Sequence, residues 1–233
     1  FDGPGFYDGF GLGTALDIDA NGNVALIGYF GAEIDFDPGP GTFNLYCAGF
    51  DFFVLKLTSS GDFLWAKQIG GPGNDLAHDM VLDNDGNMLV TGRFGGGGPV
   101  DFDPGVGVLE LTTANSDYYT TDVFVLKLDT NGNFVWVKQF GSDNGNETGL
   151  CLDMDAVGNI YFTGCFSGTA DFDPSPGTSL LTAENFDIYV SKLNPDGNLI
   201  WVAKMGGAEY DTPMGICRDN AGNIYVNGFF RGT

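Results

Sequence analysis

Basic residues are scarce in this sequence of 233 residues: nine lysines and arginines stand against 31 aspartates and glutamates, a formal charge of −22. Such a chain repels nucleic-acid phosphates and anionic lipid surfaces, so we expect no nucleic-acid partner. No apolar run approaches the roughly 18 to 20 residues that span a bilayer, so we expect no membrane insertion. An apolar content of 43% is nevertheless ample for a packed core.

Glutamate, histidine and cysteine are also rare. Most of the negative charge is aspartate, a turn residue, which argues against helices. The single histidine, His78, is not repeated, so a catalytic triad or a histidine-based metal site would rest on one residue. Four cysteines without a C-x-x-C pair predict neither a disulfide framework nor a zinc site. We expect free thiols, with a Cys151–Cys165 disulfide across a hairpin as the alternative.

A first hairpin motif recurs four times, at 16–30, 81–94, 152–166 and 217–230. Each copy joins two stretches rich in β-branched and aromatic residues through D-x-x-G-N, which is typical of a tight turn with glycine at positive φ. We therefore predict that the recurring aspartates cap turns. The turn aspartates and glycines are Asp19 and Gly22, Asp83 and Gly86, Asp155 and Gly158, and Asp219 and Gly222.

A second hairpin motif recurs three times, at 51–70, 122–141 and 187–206. A large ring repeated at one strand position is predicted to pack in the seam between neighbouring sheets, and a stacking platform for a sugar is the alternative. The recurring residues are Lys56, Lys127 and Lys192, and Trp65, Trp136 and Trp201. A further set contains Lys67, Lys138 and Lys204, but Lys204 stands one residue late and would turn to the other strand face, so we expect no common role.

Between these hairpins lies the segment DFDPG, written DFDPS in its last copy. Residues i and i+2 of an extended segment point the same way, so each copy presents paired carboxylates. The carboxylates could accept backbone N–H groups of the turn, pair with Lys56, Lys127 and Lys192, or chelate Ca²⁺, the one cofactor suggested by the sequence. The pairs are Asp35 with Asp37, Asp101 with Asp103, and Asp171 with Asp173.

Two hairpins per unit of about 66 residues predict an all-β fold, a β-propeller built of four-stranded blades. We assign 14–75, 76–147 and 148–211 to three blade units, 212–233 to a partial fourth and 1–13 to the end of a preceding repeat. Three and a half units make an incomplete ring. Since the chain also starts at Phe1, we expect the remainder of a longer chain or self-association of copies.

The motifs G-N-[IMV]-x-x-x-G-x-F, D-F-D-P-G and D-x-[FY]-V-x-K-L resemble the bacterial SBBP-type β-propeller repeat over nearly the whole chain. The resemblance implies a secreted or cell-surface repeat protein, often from bacteria that use the type IX secretion route. It implies no reaction.

Recurrence of the same motifs in every unit favours a non-catalytic extracellular scaffold, adhesion or assembly module, since an active site would make one unit different. Its expected partner is a protein or glycan at the cell surface. One alternative is a carbohydrate-binding or polysaccharide-degrading propeller that uses the variable loop 112–121, with Tyr118 and Tyr119. Another is calcium-dependent surface assembly through the DFDPG carboxylates.

Overall fold

A computed structural model of the protein describes residues 11–47, 49–114, 120–143, 145–219 and 221–231. In these ranges the secondary structure consists of β-strands, and none of it forms a helix that could cross a membrane. The strands begin with β1 (Gly11–Ile18), β2 (Val24–Phe30), β3 (Ile34–Asp35), β4 (Asn44–Leu45), β5 (Asp51–Leu57), β6 (Phe63–Ile69), β7 (Leu76–Leu82), β8 (Met88–Gly95) and β9 (Val100–Asp101). They continue with β10 (Glu110–Leu111), β11 (Thr121–Leu128), β12 (Phe134–Phe140), β13 (Thr148–Met154), β14 (Ile160–Asp171), β15 (Leu180–Leu193), β16 (Leu199–Met205), β17 (Thr212–Arg218) and β18 (Ile224–Phe229).

Three four-stranded antiparallel sheets follow one another along the chain. The first joins β1, β2, β5 and β6, the second β7, β8, β11 and β12, and the third β13 to β16, while β17 and β18 pair as a separate hairpin. The all-β class and the four-stranded blade are therefore confirmed. Because β1 begins at Gly11, the first sheet takes in residues 11–13, which the sequence analysis had assigned to the end of a preceding repeat.

The DFDPG segments lie on short arms that leave the second strand of each sheet. In the first two units each arm is a separate two-residue ladder, β3 with β4 and β9 with β10. In the third unit the long strands β14 and β15 continue into the arm with one irregularity, between Ser167 and Thr169. In the second arm Gly95 to Gly98 all have positive φ and interrupt the strand, whereas the third arm has Gly168 alone.

Aromatic side chains fill the space between consecutive sheets. Phe52 of the first sheet stacks on Phe124 of the second, with ring centroids 4.9 Å apart, and Phe102 of the second arm lies 5.2 Å from Phe124. The second core joins the second and third sheets in the same way, with Phe140 against Phe162 at 5.1 Å. Since the sheets are covered on both faces, their central strands are buried at successive positions rather than at alternate ones.

The first strands of successive sheets are joined along the inner edge of the array. The Asp17 carboxylate accepts the backbone N–H of Leu82 at 2.9 Å, and the Asp79 carboxylate accepts that of Leu152 at 2.7 Å. Strand β1 thus contacts β7, β7 contacts β13, and β13 contacts β17. This side-by-side order is that of propeller blades, and the ring formed by the described strands is open.

Cysteine placement differs from one expected alternative. The register sets Cys151 opposite Thr163 and Cys165 opposite Thr148, so the two cysteines lie at different positions along the strand pair. The proposed Cys151–Cys165 disulfide is therefore wrong, and both thiols are free. Of the four cysteines Cys165 is buried and Cys217 is exposed.

Antiparallel strand order gives each sheet two different ends. One end, here called the turn face, carries the tight turns of both hairpins. The other end, here called the link face, carries the DFDPG arms and the connections between sheets. The turn face contains the turns at 19–23, 58–62, 83–87, 129–133, 155–159 and 194–198, and the connections of the link face are 70–75, 141–147 and 206–211.

Candidate functional site

The turns of the turn face are held by their first side chain. Asp19 accepts hydrogen bonds from the backbone N–H groups of Asn21 and Asn23, each at 2.9 Å, and from the Asn23 side-chain amide at 3.0 Å. Although desolvation raises it, these hydrogen bonds and that of Lys56 lower the pKa of Asp19 to about 2. The turn glycines have φ values of 81° at Gly22, 81° at Gly86, 86° at Gly158 and 85° at Gly222.

Two of the three recurring lysines lie against these turns and the third lies over a tyrosine ring, rather than against the DFDPG segments. Lys56 Nζ lies 3.1 Å from Asp19 Oδ2, and Lys127 Nζ lies 3.0 Å from Asp83 Oδ2. Lys192 Nζ lies over the Tyr161 ring, 4.9 Å from its centroid. The suggested ion pairs with the DFDPG carboxylates are therefore wrong, because DFDPG and the lysine ends of the strands are at opposite ends of the sheet.

The recurring tryptophans join one sheet to the next. Each lies directly across from the recurring lysine of its own hairpin, as Trp65 does from Lys56. The Trp65 ring packs against the turn glycine Gly132 of the second sheet so closely that a Cβ there would come within 2.9 Å of it. Trp136 meets Gly197 of the third sheet in the same way, at 3.2 Å. The half-buried rings therefore contribute to the seams between sheets.

A polar groove runs between the first and second sheets on the turn face. It encloses about 730 Å³, and its walls are the turns that begin at Asp19 and Asp83. Leu64, 44% exposed, and Trp65 supply an apolar wall. The groove is acidic, because Lys56 pairs with Asp19 and Lys127 with Asp83, while no described lysine or arginine forms an ion pair with Asp17 or Asp85.

The equivalent groove between the second and third sheets is smaller. It encloses about 240 Å³ and is lined by Asp83, Asp85, Lys127, Asp155 and Pro195, among others. The turn that begins at Asp83 therefore separates two grooves. A segment that crosses the turn face would meet both, with Asn84 and Asp85 exposed at the ridge between them.

The DFDPG carboxylates cap their own turns. Asp101 Oδ1 accepts the backbone N–H groups of Asp103 at 3.0 Å and Leu109 at 2.8 Å, and Asp103 Oδ1 accepts that of Gly105 at 2.8 Å. The other copies match: Asp35 accepts from Asp37 and Phe43, Asp37 from Gly39, Asp171 from Asp173 and Ser179, and Asp173 from Ser175. The N–H groups of Phe43 and Asp37 lower the pKa of Asp35, and the Ser175 side chain and N–H lower that of Asp173.

Other predicted residues stand apart from these clusters. His78 lies on β7, where burial and the nearby Arg93 guanidinium lower its pKa to about 4. Tyr118 and Tyr119 of the variable loop lie outside the described residues. Within the described ranges no group of three or more His, Cys, Asp or Glu side chains could hold a metal ion.

Sequence reasoning missed a row of buried carboxylates on the link face. The first residue of each second hairpin is a buried aspartate, which meets a side chain of the hairpin's last strand: Asp51 with Gln68, Asp122 with Gln139, and Asp187 with Lys204, each at 2.5 Å. A second buried acid follows in each connection, at Asp75, Glu147 and Asp211. The sequence does contain a signal for the first acid of each junction. Each aspartate precedes its partner by the same number of residues, so Lys204 stands where the first two units have Gln68 and Gln139.

Burial perturbs the ionisation of these acids. Desolvation raises the pKa of Asp51 to about 6 and that of Asp122 to about 6, against the hydrogen bonds from their glutamines. It also raises the pKa of Asp75 to about 7 and that of Glu147 to about 8, and the neighbouring Asp51 and Asp122 charges add to these shifts.

Fold and repeating contacts together define a β-propeller-like repeat protein. The chain is 27% identical to the uncharacterised WD repeat-containing protein L264 of Acanthamoeba polyphaga mimivirus over 97% of its own length. It is 28% identical to the regulatory protein FlaEY of Caulobacter vibrioides over 76% of its length. The chain spans 20% and 17% of these two relatives. No protein-family model matches the sequence.

Proposed function

We propose that this chain is a repeat-based scaffold whose turn face binds an extended, basic segment of a partner protein. The observation that carries the proposal is the groove between the first and second sheets, which combines four aspartates with the exposed Leu64 and half-buried Trp65. The relatives support a scaffold role in general terms, because WD-type repeats build propellers and one relative is named a regulatory protein.

Charge complementarity argues for a basic partner. The chain carries a formal charge of −22, so a cationic segment is steered to it over a wide surface. Lysine and arginine also bring long methylene stems, which pack on apolar surface such as Leu64 while their charges reach the carboxylates. An acidic or neutral peptide is not attracted by the negative charge of the chain.

The proposed role is non-catalytic and extracellular. Repetition of the same turns in every sheet supports a non-catalytic role, because a reaction centre requires one unit with a distinct set of groups. An extracellular setting rests on the resemblance of the motifs alone. Carbohydrate binding at the loop 112–121 and calcium binding at DFDPG stay predictions.

A fluorescently labelled Lys-Ser decapeptide of alternating sequence tests the groove by anisotropy, with a Glu-Ser decapeptide as control. Asp85→Asn removes one groove carboxylate that is exposed, and we expect it to weaken binding of the basic peptide about threefold to tenfold at low salt. Asp196→Asn is the matched variant, since it removes the same charge from a turn outside the groove between the first two sheets. Equal affinities of the two variants would contradict the proposed site.

A further inference from the structure

Each connection on the link face brings together two buried acids from successive elements. In the third unit the first residue of the connection is Gly206, and a Cβ there would contact Oδ1 of Asp187 and lie 2.7 Å from Oδ2 of Asp211. The two carboxylates therefore border the same point. Two negative charges removed from water require compensation, and the three junctions provide it differently.

The first junction satisfies its second acid with backbone donors. Asp75 Oδ2 accepts the N–H of Gly71 at 2.7 Å, and its Oδ1 accepts the N–H of Gly95 at 3.2 Å. Both oxygens of this acid are therefore hydrogen-bonded. At this junction Oδ1 of Asp51 is buried and receives no hydrogen bond from the described residues.

The third junction has its own positive charge. Lys204 donates to Asp187 Oδ2, while Asp211 accepts the N–H groups of Gly207 at 3.1 Å and Arg231 at 2.8 Å. A lysine thus stands where the first two units have a neutral glutamine. The lysine shows that the junction accommodates a cation, although Oδ1 of Asp187, like Oδ1 of Asp51, receives no hydrogen bond from the described residues.

The second junction has no lysine, and its donors are Gln139, which donates to Asp122, and Ser142, whose hydroxyl and backbone N–H face the two acids. Its second acid is Glu147, fully buried, whose Oε1 accepts from the Ser142 hydroxyl at 3.1 Å. Oε2 of Glu147 and Oδ1 of Asp122 are both buried and receive no hydrogen bond from the described residues. The two acids are close enough for the Asp122 charge to act on Glu147, and buried carboxylate oxygens without hydrogen bonds are costly unless a positive charge offsets them.

This junction is also open to a ligand. A depression of about 250 Å³ reaches Asp122, and Gln139, Gly141, Ser142 and Asp143 are among its walls, whereas Glu147 lies buried behind them and does not line it. The Asp143 carboxylate adds negative charge at the mouth, because its field acts on Asp122. An ion therefore has a path as far as Asp122, and this path favours cations.

We propose that the junction between the second and third sheets is a divalent-cation site, in which Asp122 and Glu147 supply the carboxylate ligands for an ion of the calcium class. Such ions take six to eight oxygen ligands, so two carboxylates are completed by hydroxyl or carbonyl oxygens and water. The Ser142 hydroxyl and the Ser167 carbonyl are near, since a Cβ at Gly145 would contact the hydroxyl and lie 2.7 Å from the carbonyl oxygen. Asp171 and Asp173 of the third DFDPG segment line the same depression, but their carboxylates cap their own turns.

Calorimetric titration of the whole chain with CaCl₂ after EDTA treatment tests the site, with MgCl₂ and NaCl titrations in parallel. We expect one equivalent of Ca²⁺ to bind and the melting temperature to rise. Glu147→Gln keeps the size of the side chain and removes its charge, so we expect at least about tenfold weaker binding. Asp75→Asn, the matched change at the first junction, is expected to leave Ca²⁺ binding unchanged.

Gln139→Lys provides a second test, which keeps both carboxylate ligands in place. It copies Lys204 into the second junction, so we expect greater stability than wild type in EDTA and loss of the response to Ca²⁺. Absence of Ca²⁺ binding by wild type, or binding that survives in both Glu147→Gln and Gln139→Lys, would overturn the proposal. A melting temperature that responds to pH and not to any of the three cations would identify a shared proton instead, and would overturn it too.

Discussion

Lys56 and Asp19 form an ion pair of 3.1 Å whose side chains are 6% and 8% exposed, at the point where the two hairpins of the first sheet meet. The second sheet repeats the pair with Lys127 and Asp83. In the third sheet Tyr161 intervenes, since its hydroxyl donates to Asp155 at 3.1 Å and Lys192 lies over its ring. One position on the second strand therefore decides whether the lysine contacts the turn directly.

Lys56→Met is expected to destabilise the protein by about 3 kcal/mol, because it leaves a buried carboxylate without its counter-charge. Lys192→Met is the matched change in the third sheet. It removes a cation–π contact at a partly exposed site, so we expect about 1 kcal/mol. Urea unfolding of both variants measures the difference, and equal losses would show that the ion pair is no stronger than the ring contact.

The buried acids of the first junction predict that stability falls as the pH rises. In the folded chain the pKa of Asp75 is raised to about 7 and that of Asp51 to about 6, mainly by desolvation. Both acids in the unfolded chain titrate near 4, so between about pH 4 and pH 7 the folded state binds more protons. The stability contributed by the protonated acids is full below pH 4 and is lost as the pH rises through these values.

The matching measurement is urea unfolding in EDTA at pH 5 and pH 8, for wild type and Asp75→Asn. We expect wild type to lose on the order of 3 kcal/mol more than the variant between these pH values. Identical pH profiles would mean that Asp75 remains ionised throughout, with its charge balanced by the N–H groups of Gly71 and Gly95.

The DFDPG turns predict a contrast between two substitutions of Asp101. Asp101→Asn keeps one side-chain oxygen for the N–H groups of Asp103 and Leu109, so its cost is expected to be below about 0.5 kcal/mol. Asp101→Ala leaves both donors without that acceptor and is expected to cost about 2 kcal/mol. Thermal melts with EDTA and with Ca²⁺ also test the calcium prediction for DFDPG, which requires a Ca²⁺ response that Asp101→Asn removes.

The local structure of this fold, its hairpins, can be predicted from the sequence. The D-x-x-G-N turns and the flanking apolar strands predict the hairpins, since a turn residue and its partner are four positions apart and interact within one segment, as in Asp19 and Asn23. The recurring tryptophan likewise marks a strand position that faces the next sheet, because the same contact is needed in every unit.

Non-local contacts were much less predictable. Strand alternation predicts the face on which Lys56 lies. It does not predict that Lys56 pairs with Asp19 and not with Asp35, because that depends on which end of the sheet each aspartate occupies. The acid row on the link face was missed because Asp122 and Glu147 meet only when the connection folds back on the strand. Lys204 was interpreted as a misplaced member of one set, whereas it replaces the glutamine of another.

Consecutive sheets pack as blades, with a tryptophan of one sheet against a turn glycine of the next. Gly61→Ala and Gly132→Ala test it directly, because both glycines hold the same turn position at positive φ, 89° and 75°, and only the second faces a ring. A Cβ at Gly61 meets nothing within 4 Å, so its backbone strain alone should cost about 1 kcal/mol. Gly132→Ala should cost about 2 kcal/mol more, because the Trp65 ring must move out of the seam. Equal free energies of unfolding for the two variants would contradict the packing of Trp65 against the second sheet.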